Sequence, residues 1–159
     1  EFSFSYTNDL KLITMPDNRY GYCNIKTVNL LPSVMASTKA EAMGCDEAVF
    51  VRNGTITECA HSNIFIIKDE MLITHPESCH ILPGIIRKFI LKNAAVWGIT
   101  AIEREFSADE LIDADEVLVT STTKLAKRAE SINGIKVGGK NSEIANTLID
   151  TLFDSYRNI

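Results

Sequence analysis

The sequence predicts an α/β (α+β) chain in which a mixed, largely antiparallel sheet is flanked by helices. Three observations carry this. Short apolar, β-branched runs recur, as at 48–52, 62–68 and 116–120. Asn53-Gly54 and Asn133-Gly134 have the chemistry of tight hairpin turns. Longer segments place apolar residues at helical spacing. Strands and helices are intermixed, with no internal repeat and no low-complexity linker.

Taken in order, Phe2, Phe4 and Tyr6 alternate with polar residues as a strand would, and "MPDN" (15–18) reads as a turn. Residues 20–25 read as a second short strand. A helix is expected over 30–43, with Pro32 in its first turn, where a missing N–H does no harm, and Gly44 as its stop. Residues 48–52 and 55–57 form a hairpin about Asn53-Gly54. Residues 62–68 and 71–74 pair across the Asp69-Glu70 turn. The segment "HPESCHILPG" is a loop. Ile85, Phe89, Ile90, Ala94 and Trp97 mark a helix over 84–97 that Gly98 ends. Residues 100–104 form a strand. Ser107 and Glu110 are a capping box for a short helix ending near Asp113. Residues 116–120 form a strand that runs into the hydroxyl-rich "STTK". A closing amphipathic helix spans 142–156, with Ile144, Leu148, Ile149, Leu152 and Phe153 on one stripe.

The 159 residues, 45% of them hydrophobic, suit one domain with a real core. A net charge of -5 with interspersed signs argues against a nucleic-acid binder. No apolar run reaches the length of a membrane span and no signal peptide is read. The four cysteines, Cys23, Cys45, Cys59 and Cys79, contain no CxxC pair. Reduced thiols and a cytoplasmic location are expected. The opening "EFSFSYTNDLKL" starts in strand-like alternation without an initiator methionine, so the expectation is a piece of a longer protein with sequence before Glu1.

Several features could carry chemistry. Lys26 lies between an expected strand and a helix, where a desolvated amine makes a nucleophile and imine former. Glu58 ends a hairpin strand, where a carboxylate could face a cation or a protonated ring nitrogen. "LPGII" (82–86) opens a helix, whose free N–H groups attract anions. "TSTT" (120–123) offers hydroxyls after a strand. Singly, each reads more simply as ordinary structure: a solvated lysine, a solvated glutamate, a plain helix start, a polar turn. His75, Cys79 and His80 match no standard metal spacing, and no metal is expected. Together and in this order, an imine-forming lysine, a carboxylate and two phosphate cups are the inventory of a pyridoxal phosphate site.

"IKTVNLLPSVMA", "GCDEAVFVRNGTITECAHSNIF", "THP", "ILPGIIR" and "EVLVTSTT" follow one another as in fold-type IV pyridoxal phosphate enzymes, and the chain resembles their C-terminal, large domain over nearly its whole length. That family includes D-amino-acid aminotransferases, branched-chain aminotransferases and aminodeoxychorismate lyases. "IKTVNLL", "ITHP" and "VTSTT" are most similar to the D-alanine aminotransferase type. The resemblance implies a pseudo-barrel sheet in a single domain, 1–159, with a smaller N-terminal domain lying outside this chain. It implies pyridoxal 5'-phosphate as cofactor, an amino acid and a 2-oxo acid as substrates, a homodimer, and ping-pong transamination. Lys26 resembles the lysine that holds the cofactor as an internal aldimine and shuttles the substrate proton. Glu58 resembles the carboxylate facing the pyridine nitrogen, and Leu82 the apolar residue against the ring. Ile85 and Ile86 sit where backbone N–H groups meet the phosphate, and Thr122, with Ser121 beside it, where hydroxyls do. Asn63 belongs to the "SN" signature. A threonine is common where this chain has Ile86. A serine-rich run often follows the glutamate, where this chain has Cys59, Ala60, His61 and Ser62. "Glu-Cys" followed by alanine is similar to the lyase branch. A pyruvate-releasing lyase, a branched-chain aminotransferase and a non-catalytic fragment are the rival expectations.

Overall fold

Leu10 and Leu12 are buried while Lys11 between them is exposed, and this alternation builds the central strand, β1 (Leu10–Pro16). The computed structural model describes residues 9–157, so the alternation at Phe2, Phe4 and Tyr6 lies outside the described residues. The sequence pattern does not foresee β1. The turn expected at "MPDN" starts later than its composition suggests: Met15 and Pro16 complete β1, and the turn begins at Asp17. Proline is tolerated at the strand end, where a ladder donor is not needed.

The chain then runs through α1 (Leu31–Ala42), the hairpin β2 (Glu47–Arg52) and β3 (Thr55–Cys59), and the hairpin β4 (Asn63–Lys68) and β5 (Met71–Thr74). It continues through α2 (Ile85–Asn93), β6 (Thr100–Glu103), α3 (Ala108–Asp113), β7 (Glu116–Ser121), β8 (Leu125–Ile132), β9 (Ile135–Lys136) and α4 (Ser142–Arg157). The sheet order is β3-β2-β1-β8-β7-β4-β5-β6, with β9 beside β8. β1 runs parallel to both β2 and β8, and β5 to β6; the other pairs are antiparallel. The mixed, largely antiparallel sheet is as the sequence predicts.

The turns obey their chemistry. Asn53-Gly54, Asp69-Glu70 and Asn133-Gly134 all take positive φ at both central residues, as tight hairpins require. Ser107 and Glu110 exchange the reciprocal bonds of a capping box. The expected 84–97 helix is α2 followed by a 3-10 turn, Ala94–Trp97, which ends at Gly98 with φ +74°. One expectation fails, and one further strand is not foreseen. Residues 20–25 form a loop: the Cys23 N–H donates to the carbonyl of Cys79 at 2.8 Å rather than to a ladder, and the Tyr20 hydroxyl bonds the Ile25 carbonyl across the loop. Conversely, the basic stretch after "STTK", which shows no strand pattern, forms β8. Arg128 leaves the strand to bond Asn146 and the Ser142 carbonyl on α4, while Leu125, Ala126, Ala129 and Ile132 are buried.

Leu10, Val49, Ile56, Ile64, Ile73, Val117 and Ile132 come from strands spread across the sheet yet pack in one cluster, so the sheet curls into a half-barrel. Each such fully buried aliphatic side chain stabilises the fold by about 1.5–3 kcal/mol. On the outer face α2 and α4 cover Phe65, Ile67, Leu72 and Leu118. α1 covers Ala48 and Phe50 through Ala36 and Ala40. Cys59 N–H donates to the Ser62 carbonyl at 2.8 Å, so the strand ends of β3 and β4 meet in a tight turn. The starts of α1 and α2 and the β7–β8 hairpin come to this same end.

Candidate functional site

A cavity of about 470 Å³ opens there. Lys26 lines it from the loop before α1, and Glu58 and Asn63 from the β3–β4 junction. Leu82, Ile85 and Ile86 line it from the approach to α2, and Ser121 and Thr122 from the β7–β8 hairpin. Residues spread over nearly a hundred positions of sequence thus share one wall system because the sheet curls.

Glu58 is the best-held group. It is 5% exposed. Its Oε1 accepts from Arg19 Nη1 at 2.5 Å, its Oε2 from the Asn63 amide at 3.0 Å, and the Leu82 N–H is shared between both oxygens at 3.1 and 3.0 Å. Three donors thus engage the roughly four acceptor positions of the carboxylate, the Leu82 N–H spanning two of them. Burial pushes the Glu58 pKa up to about 7, against the pull of Arg19 and the Leu82 N–H. Asn63 also binds the Leu82 carbonyl at 2.9 Å and accepts from the Gly84 N–H at 3.1 Å. It therefore ties Glu58 to the start of α2. A Cβ on Gly84 would stand 2.4 Å from Asn63 Oδ1, which explains glycine at that position. Gly84 caps α2 without a side chain, leaving the first N–H groups of the helix toward the cavity.

Arg19, which the sequence reading missed, organises this end. Its guanidinium pairs with Asp17 at 2.9 and 3.0 Å, reaches the His80 carbonyl at 3.0 Å and lies 4.4 Å from the Phe50 ring centroid. Arg52 adds a bond to Asp17 at 3.2 Å. Burial alone would raise the Asp17 pKa, but the hydrogen bonds from Arg19 and Arg52 outweigh it and hold the carboxyl well below its ordinary range. Asp17, Arg19, Arg52 and Glu58 form one connected ionic network. The only sequence cue is a charged pair in a turn, which ordinarily belongs to solvent.

The remaining lining differs in exposure and in polarity. Burial pushes the Cys59 and Cys23 thiols up, so both stay neutral and inert. None of the four cysteines is disulfide-bonded. Lys26 is exposed to the cavity mouth. Thr120 is 2% exposed, lines the cavity, and its hydroxyl has no hydrogen-bond partner. His61 lines the opposite side, with Nε2 2.8 Å from Ser37 Oγ on α1. No helix among the described residues is long and apolar enough to cross a membrane.

A half-barrel with a lysine, a buried carboxylate and a helix-start anion cup around one cavity defines a class of protein. The profile of the amino-transferase class IV family matches residues 7–132. The chain belongs to that family. It is 38% identical over 131 residues to a D-alanine aminotransferase of Bacillus licheniformis, covering 82% of this chain and 46% of the relative. A putative 4-amino-4-deoxychorismate lyase of Legionella pneumophila superposes with a TM-score of 0.84 at 27% identity, covering 92% of this chain and 56% of that one. A T.th. branched-chain amino acid aminotransferase complexed with N-(5'-phosphopyridoxyl)-L-glutamate superposes with a TM-score of 0.81 at 25% identity, covering 92% and 51%. The chain spans about half the length of the curated relatives it matches.

Proposed function

We propose that this chain is the cofactor-holding domain of a pyridoxal 5'-phosphate-dependent aminotransferase acting on a D-amino acid and a 2-oxo acid. The observation that carries it is the convergence of Lys26, Glu58 and the uncapped start of α2 on one cavity. The residues fit the group. Glu58 brings a buried carboxylate to the cavity wall, where a ring N–H could pair with it, α2 offers unpaired N–H groups to a phosphate, and the Thr120 hydroxyl is a buried polar atom in want of a partner.

Lys26 would hold the cofactor covalently, Glu58 its ring nitrogen, and Ile85, Ile86, Ser121 and Thr122 its phosphate, with Leu82 against the ring. When bound, pyridoxal phosphate supplies an aldehyde for capture of amines and a ring that takes up electrons from the substrate α-carbon. The Lys26 amine, freed by the incoming amino acid, takes the proton from the substrate α-carbon and later returns it. Glu58 as an anion keeps a proton on the ring nitrogen, and Arg19 and Asn63 keep Glu58 in place. Two half-reactions sharing one lysine give ping-pong kinetics. The similarity to D-alanine aminotransferases supports the D-amino acid class. The lyase is the second reading, supported by the Legionella neighbour and by Glu58-Cys59-Ala60. A smaller N-terminal domain and a homodimer complete the proposal. Support for them is that Tyr22, Ile25, Val28, Leu31 and Met35 are exposed beside the cavity, and that the chain covers 46% of the relative's length.

Addition of pyridoxal phosphate to the purified protein should produce a visible absorption band that Lys26→Ala abolishes, together with a fall in turnover of about 10⁶-fold, as for loss of a nucleophile elsewhere. Pyruvate formation from D-alanine and 2-oxoglutarate identifies the transaminase. Pyruvate from aminodeoxychorismate alone identifies the lyase. A protein that gives no band overturns both readings.

A further inference from the structure

We propose that Glu47 and Lys124 are a positioning pair that holds the Ser121–Thr122 hairpin in shape for a phosphate group, an inference that rests on the cofactor reading above. Glu47, at the start of β2, is 2% exposed. Its Oε1 accepts from the His61 N–H at 3.0 Å, and its Oε2 from Ser62 Oγ at 3.1 Å and Lys124 Nζ at 2.9 Å. Donors from two separate loops thus converge on one buried carboxylate. One loop follows Glu58. The other is the hairpin that carries Ser121 and Thr122.

The hairpin needs holding. Leu125, the residue after Lys124, has φ +55°, a left-handed conformation that costs a non-glycine residue about 1–2 kcal/mol. Glycine is the usual occupant of such a conformation, because it has no Cβ to clash. Here the conformation is kept by burial of the Leu125 side chain, which is 1% exposed, and by the ties on its neighbour. The Lys124 N–H donates to Ser121 Oγ at 3.1 Å, closing the loop on itself. The Lys124 side chain then anchors the closed loop to Glu47. Released, the loop could relax away from the αL turn and carry the Ser121 and Thr122 hydroxyls with it.

The arrangement also says what Lys124 does not do. Its ammonium is drawn toward Glu47 and is absent from the cavity lining, whereas Ser121 and Thr122 are part of it. The phosphate is to be met by hydroxyls and backbone N–H groups, with this cation neutralised behind them. A lysine that bound phosphate directly would gain from losing Glu47; a lysine that positions the loop would suffer from it.

The test compares dissociation constants for pyridoxal 5'-phosphate and for pyridoxal, which lacks the phosphate, by fluorescence quenching of the purified apoprotein. Lys124→Met removes the ammonium and keeps the stem, at a side chain partly exposed to solvent. Glu47→Gln keeps the shape of the acceptor. Each variant should weaken pyridoxal phosphate about tenfold, equivalent to ~1.4 kcal/mol, while leaving pyridoxal within about twofold. Lys124→Arg should restore most of the loss. Equal weakening of both ligands would mean a general structural role and overturn the proposal. Tighter pyridoxal phosphate binding by Glu47→Gln would overturn it in favour of direct contact by Lys124. Unchanged affinities would overturn it outright. Failure of the unsubstituted protein to bind pyridoxal phosphate would instead bring down the cofactor reading, and this inference with it.

Discussion

The Glu58 wall and the Lys26 wall of the same cavity are built on opposite plans. Around Glu58, polar groups are buried and bonded: Arg19, Asp17, Arg52, Thr57 and Asn63 form a closed network with the Leu82 and His80 backbone. Around Lys26 the loop turns apolar side chains to solvent, Val28 being 97% exposed, and α1 presents Leu31 and Met35 beside it. The two plans suit two tasks. In the cofactor reading, Glu58 would keep a ring nitrogen charged, a task that favours a rigidly held group, because a low-dielectric network is effective only when every member is paired. In the same reading Lys26 would move a proton to and from the substrate, a task that needs room.

The comparison breaks most sharply in stability. Arg19→Met would leave Asp17 and Glu58 buried without their common cation, and removal of one partner of a buried network costs about 3–5 kcal/mol. Lys26→Ala, on the exposed wall, should shift stability by no more than about 0.5 kcal/mol. Urea unfolding of both variants checks the contrast. If Arg19→Met unfolds within about 1 kcal/mol of the parent protein, the network is not holding this wall.

A smaller effect should appear with pH. Burial pushes Glu58 up to about 7 from an ordinary 4.5. Between those values the folded state carries a proton that the unfolded chain has lost, so this group's contribution to stability falls as pH rises from 4.5 to about 7. Activity should move the other way. Above about 7 Glu58 is an anion, the form the proposed pairing with a ring nitrogen requires, so turnover should rise with pH through that value. Glu58→Gln should flatten the rise. A limb that persists unchanged in Glu58→Gln belongs to another group.

The difference between the walls also explains what the sequence made legible. Lys26, Glu58 and the "LPGII" and "TSTT" segments each read singly as ordinary structure, and only their order along the chain, with the family resemblance that adds Asn63, makes them candidates. Arg19 does not stand out even so, because its partners Asp17, Glu58 and the His80 carbonyl meet only after β1, β3 and the loop before α2 assemble. Glu47 is hidden in the same way, as one more charge at the edge of an apolar run. The hairpins are legible because Asn-Gly turns encode them within a few residues. β1 is not, because it is mixed in polarity and takes its place through long-range parallel pairing, with Leu12 opposite Ile132, and β8 is not, because its polar and charged residues mask the strand pattern that its antiparallel pairing with β7 gives it. The loop at 20–25 imitates a strand in composition, but it lacks a ladder partner and its bonds go to Cys79 and to itself.

Thr120 gives the mildest and most specific test, because it departs from the plan of its own wall. Asn63, opposite it in the β4–β7 ladder, donates two hydrogen bonds through its amide nitrogen and accepts one on its amide oxygen, whereas the Thr120 hydroxyl, also buried, bonds nothing. A buried hydroxyl without a partner costs about 1–3 kcal/mol of desolvation. Thr120→Val keeps the shape and removes the cost, so the apoprotein should become more stable by about 1 kcal/mol. If the hydroxyl is kept for a ligand, the same variant should bind pyridoxal phosphate several-fold more weakly, and the stabilisation should shrink when the cofactor is present. A variant that is stabilised equally with and without cofactor would assign the orphan hydroxyl to packing, and leave the phosphate to the start of α2 and the β7–β8 hairpin alone.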